Sequence, residues 1–97
     1  MAETFDRSDA AYLKWVRANP TGYVVNAERS PRLSYMVLHR ASCPSISSIK
    51  APGRSGGFTE RSYIKICSSN VTDLSTWVRQ RGGRSGAFSK RCAKCNP

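Results

Sequence analysis

The stretch Gly22-Tyr-Val-Val-Asn-Ala27, Glu28-Arg-Ser-Pro-Arg32, Ser34-Tyr-Met-Val-Leu-His-Arg40 decides the fold. Two runs rich in β-branched and aromatic residues flank a polar segment containing proline, which reads as a β-hairpin. Strand side chains alternate between faces, so Tyr35, Val37 and His39 share one face, and Met36, Leu38 and Arg40 the other. A third strand, Arg61 to Cys67, sets Tyr63 and Lys65 against Ile64 and Ile66.

Helices flank these strands. Ser8-Asp9 caps a helix from Ala10 to Ala18, in which Tyr12, Trp15 and Val16 form one apolar stripe and Asn19-Pro20 is the stop. Ser68-Ser-Asn70 offers caps for a second helix, Val71 to about Gln80, with Leu74, Trp77 and Val78 at helical spacing and Gly82-Gly83 at its end. This order predicts one α+β domain over residues 1–97, a small three-stranded antiparallel sheet with two helices on one face. Residues 1–8 read as a flexible start, 41–59 as a long Ser/Gly/Pro connection, and 82–97 as a Gly/Arg loop with a Cys-x-x-Cys tail.

At 97 residues the domain is small for stability from a hydrophobic core alone, and its cysteines offer a crosslink of another kind. Cys92-Ala-Lys-Cys95 can grip one metal ion from a tight turn, and Cys43 and Cys67 are the number needed to complete a tetrahedral, structural zinc site. His39 is the alternative fourth ligand, since His39-x-x-x-Cys43 is itself a ligand pair. Antiparallel pairing of the second and third long strands would put Cys43 and Cys67 at opposite edges of the sheet. A thioredoxin-like role does not suit Cys92-x-x-Cys95, which opens no helix after a strand.

Sixteen lysines and arginines against six acids give a formal net charge of +10 and a pI near 10.1. Such an excess suits a polyanionic partner, and arginine forks onto phosphate or guanine. Nucleic acid is therefore the expected partner, DNA before RNA. A second signal is an echo: Gly53-Arg-Ser-Gly-Gly-Phe-Thr-Glu-Arg61 and Gly83-Arg-Ser-Gly-Ala-Phe-Ser-Lys-Arg91 agree or nearly agree in type at seven of nine positions. Glycines admit an anion close to backbone N–H groups, so Arg54, Ser55, Arg61, Arg84, Ser85, Lys90 and Arg91 are the expected nucleic-acid contacts, joined by Arg40 and Lys65 on the strands.

No apolar run reaches membrane-spanning length and no secretory signal opens the chain, which points to the cytoplasm, where cysteines serve as metal ligands more readily than as disulfides. Walker-type phosphate loops, dinucleotide fingerprints, Ser/His/Asp sets and paired carboxylates are absent.

Two resemblances extend this reading. His39 at a strand end with Asn70 before the second helix resembles the arrangement of HNH-type nucleases, which implies His39 as general base and Asn70 as its orienter. The chain departs from that family in having no second histidine in the helix, a long intervening loop and no acidic residue beside His39. The string Pro20-Thr-Gly-Tyr-Val-Val-Asn26, Tyr35-Met-Val-Leu-His-Arg-Ala-Ser-Cys43, Tyr63-Ile-Lys-Ile-Cys67 and Cys92-x-x-Cys95 resembles small proteins of actinobacteria and their phages, some encoded near restriction and HNH endonuclease genes. That likeness implies a link to DNA restriction or phage defence. The expected function is a DNA-binding, zinc-stabilised module, with a metal-dependent nuclease or a protein-binding inhibitor or adaptor as alternatives.

Overall fold

The structure, a computed structural model, describes residues 2–47, 59, 63–83 and 86–97. The long strands and both helices lie where hydrophobic periodicity puts them: β2 Tyr23–Glu28, β3 Met36–Arg40, β4 Tyr63–Ser68, α1 Asp9–Ala18 and α3 Val71–Gln80. Three short elements join them: strand β1 Glu3–Phe5, helix α2 Pro44–Ser47 and strand β5 Lys90–Arg91. Among the described residues no helix is long and apolar enough to cross a membrane.

Among the described residues the sheet has five strands in the order β1-β4-β2-β3-β5, with every pair antiparallel except β3 and β5. This corrects the expected three-stranded antiparallel sheet. The opening residues, expected to be loose, form the edge strand β1, and the tail adds the parallel strand β5. Both additions are two or three residues long, too short for alternation to mark them. A second correction concerns strand order. The hairpin strands β2 and β3 do pair, but β4 lies on the other side of β2, so β3 and β4 run the same way and end at the same edge.

The helices cover opposite faces rather than one. Val25, Ala27, Met36, Leu38, Ile64 and Ile66 pack with Leu74, Trp77 and Val78 of α3. On the reverse face Val24 and Cys67 pack with Tyr12 and Val16 of α1, and with Ala41, Cys43, Ile46 and Cys92. Each fully buried aliphatic side chain contributes about 2 kcal/mol by leaving water, so two half-sized cores replace one.

Local chemistry fixes the helix ends. The Ser8 hydroxyl accepts from the Ala11 N–H at 3.1 Å, and the Asn70 amide oxygen accepts from the Asp73 N–H at 2.9 Å, each satisfying a donor the first turn leaves unpaired. Gly82, at φ +101°, ends α3 in a conformation that costs a residue with a Cβ far more. At Gly22 a Cβ would lie 2.8 Å from the Trp15 ring and 3.1 Å from the Ser68 carbonyl, so only glycine lets the end of α1 seat this closely against the sheet. The buried Thr59 returns the chain to α1, giving its N–H and hydroxyl to the Asp9 carboxylate, both at 2.7 Å.

Candidate metal centre

Strand register explains which cysteines meet. A single row across the reverse face reads Glu3, Cys67, Val24, His39. Parallel pairing of Leu38 with Arg91, and a 2.9 Å bond from the Cys92 N–H to the Leu38 carbonyl, carry Cys92 to the level of His39 on the next strand. Just beyond β3 the chain turns, with the Cys43 N–H bonded to the Arg40 carbonyl at 3.0 Å, and this returns the Cys43 thiol to the same face. Cys95 comes round on the Cys92-x-x-Cys95 turn.

His39, Cys43, Cys92 and Cys95 therefore converge, one ligand atom from each lying within 4.8 Å of all the others. The Cys43 and Cys92 sulfurs are 3.9 Å apart. Two thiolates on a tetrahedral ion with bonds of about 2.3 Å stand about 3.8 Å apart, so the spacing of this pair fits a shared ion. No disulfide joins the four cysteines. The His39 Nδ1 is a buried nitrogen with no hydrogen-bond partner, a deficit that a cation beside the ring would make good. This set can hold a metal ion.

Cys67 is not in it. Two strand spacings separate it from His39, roughly 10 Å, and Val24 lies between. The four-cysteine set is thereby corrected to one histidine and three cysteines. Cys67 is instead fully buried against α1, where burial, then Glu3, pushes its thiol far above the ordinary range. Replacing Cys67 with Ala is accordingly expected to leave metal content at one equivalent, while Cys43→Ala lowers it. Elemental analysis of the two purified variants is the check.

Backbone donors surround the sulfurs. Burial alone would raise the Cys92 thiol, but N–H groups of Cys95 and Lys94, with the Cys95 and Cys43 thiols, bring it down to about 7. Cys95 is raised to about 11, by burial and by its neighbouring thiols, against the pull of the Arg40 N–H, 3.2 Å from its sulfur. His39 is lowered to about 4 by burial and by Lys65, so the imidazole is neutral near pH 7, the form that ligates a metal. Asn96 takes φ +47°, a left-handed conformation that asparagine tolerates, and its N–H closes the turn onto the Cys92 carbonyl at 3.0 Å.

The expected nucleic-acid residues divide. Arg54, Ser55, Arg61, Arg84 and Ser85 lie outside the described residues. Lys90 and Arg91 are exposed on β5. Arg91 reaches the Pro97 carbonyl at 3.0 Å. Arg40 is exposed but already occupied: its guanidinium holds the Cys95 carbonyl at 2.9 Å and the Asn96 carbonyl at 3.0 Å, fastening the Cys92-x-x-Cys95 turn to β3.

Lys65 is not a surface cation, and that expectation is corrected. It is 3% exposed, its ammonium gives a 2.7 Å hydrogen bond to the Asn26 amide oxygen, and burial lowers it to about 8 despite Asp9 and Cys67. In the unfolded chain it titrates near 10.5, so between those values the unfolded state holds more protons and folding gains from rising pH. The stability of the parent relative to a Lys65→Met protein should thus rise by roughly 3 kcal/mol between pH 8 and pH 10.5. Urea unfolding of both proteins across that range measures it.

The nuclease arrangement is not assembled. His39 lies among thiols on one face, while Asn70 caps the helix packed on the other. Residues that sequence reasoning passed over are Asn26, Tyr35 and Lys94, beside the metal cluster. Asn26 carried a signal, as a polar residue at an inward position of an otherwise apolar strand.

Comparison of the chain with protein-family models, with curated proteins and with solved structures finds no match.

Proposed function

We propose that this protein is a zinc-stabilised nucleic-acid-binding module, with DNA as the preferred partner. Four protein ligands of the kind zinc favours leave no coordination position for a substrate, which supports a structural rather than a catalytic ion. Zinc suits mixed thiolate and imidazole ligands better than the hard cations, which require oxygen. The ion would add a crosslink among β3, β5 and the C-terminal turn, beside the Arg40 bonds and the backbone bonds that already join them.

The observation that carries the nucleic-acid reading is the distribution of charge. Of the twelve lysines and arginines at described positions, all but Lys65 are exposed, in a chain of net charge +10. Arg32 spends its charge on Glu28 at 2.7 Å, but the acids are too few to neutralise the rest. A polyanion gains from such a surface by releasing condensed counterions. A role in restriction or phage defence belongs to the same reading.

Fluorescence anisotropy with labelled duplex DNA and RNA of equal length, at low salt and with zinc-loaded protein, is the test. Saturable binding with DNA ahead of RNA is expected. Undetectable binding to both would end this reading.

A further inference from the structure

Helix α1 covers only part of the reverse face. Toward β3 and β5 that face opens into a pocket of about 400 Å³, within the roughly 300–1,000 Å³ usual for small-molecule sites. Val37 and Ile46 give it apolar walls, Asn26 and Tyr35 line one side, and Lys90 and Lys94 stand at the β5 side next to Cys92.

Its polar groups are set up to donate. The Lys65 ammonium can only donate, and its 2.7 Å bond fixes which end of the Asn26 amide is oxygen. The Asn26 NH₂ then gives one hydrogen to the Tyr35 hydroxyl at 3.2 Å. With that oxygen already accepting, the Tyr35 proton is left for a ligand, as is the second Asn26 N–H. Lys90 and Lys94, both exposed, add ammonium groups that no described side chain neutralises. Among the described residues no carboxylate lines the pocket. His39 and Cys92, the metal-ligand candidates, also line the pocket; beyond them its donors and cations select a ligand built of acceptors and negative charge, and its volume exceeds a phosphate group, leaving room for an organic part on the Val37 and Ile46 walls.

We infer that this pocket binds the terminal phosphate monoester of a nucleotide, free or at the 5′ end of a strand, with Lys90, Lys94 and the Tyr35 hydroxyl on the phosphate. The strand-end form rests on the nucleic-acid reading above; the free form does not. A phosphate monoester carries more charge than the diesters along a backbone, so the pocket would distinguish a strand end from its middle.

The test compares 5′-phosphorylated and 5′-hydroxyl oligonucleotides of one sequence, and a deoxynucleoside monophosphate against its nucleoside, by titration calorimetry on zinc-loaded protein. The phosphorylated oligonucleotide is expected to bind at least about tenfold more tightly. Lys90→Gln/Lys94→Gln, changes at two exposed positions, should bring the ratio to one, and Tyr35→Phe should reduce it without any change in net charge, both with metal content and circular dichroism unaltered. If the monophosphate binds and neither oligonucleotide does, the pocket's occupant is a free nucleotide and the nucleic-acid reading falls alone. If both oligonucleotides bind equally and the monophosphate does not, the pocket proposal is overturned and the nucleic-acid reading stands. Binding of none of these probes overturns both.

Discussion

Removing the metal, by a strong chelator or by Cys92→Ser, is expected to cost more than about 4 kcal/mol of stability, seen as a fall in Tm of roughly 15 °C or more. The reason lies in what the cluster joins. Strand β5 is two residues long and is held to β3 through few backbone bonds, among them Ser89 N–H to the Met36 carbonyl and Cys92 N–H to the Leu38 carbonyl. Without an ion, three thiols and an imidazole with an unpaired buried nitrogen would crowd an otherwise apolar core of Val24, Ala41 and Ile46. The α3 face contains none of these ligands, so the helical signal of α3 should outlast the packing of the C-terminal turn. Thermal unfolding followed by far- and near-ultraviolet circular dichroism, with and without chelator, reads both effects.

The second large effect is on nucleic-acid affinity. If about six phosphates are neutralised, log K should fall against log salt with a slope near −5, a loss on the order of a thousandfold between 50 and 200 mM salt. Replacing Arg54 and Arg84 together should flatten that slope by close to two phosphate contacts. Those arginines stand at matching positions of the two Gly-Arg-Ser-Gly segments. A slope near zero in the parent protein would mean that whatever binds does so without neutralising phosphate, contrary to the charge argument.

The sequence made the local structure legible wherever a periodic apolar pattern ran for five or more residues, as in β2, β3, β4, α1 and α3. Caps were equally plain, because Ser8 and Asn70 have the side chains that orphaned helix N–H groups need. Strand order was not, since alternation assigns faces within a strand but says nothing of which strand lies beside which. That one gap accounts for the error over Cys67. Alternation does place Cys67 and His39 on one face, but only the position of β2 between them reveals that Val24 keeps them apart. Lys65 misled for a related reason. Read singly, a lysine on a strand faces solvent; in the register of β4 with β2 it lies opposite Asn26, which supplies the acceptor that makes its burial tolerable. The two-residue strand β5 left no periodic trace, although it is what delivers Cys92 to His39.

In the zinc-loaded protein one ion should be held by His39, Cys43, Cys92 and Cys95, with Cys67 outside. X-ray absorption fine structure of the zinc-loaded protein tests it most directly. The expected first shell is three sulfurs at about 2.3 Å and one nitrogen at about 2.0 to 2.1 Å, unchanged in Cys67→Ala. A shell of four sulfurs, or one that loses a sulfur when Cys67 is replaced, would contradict it.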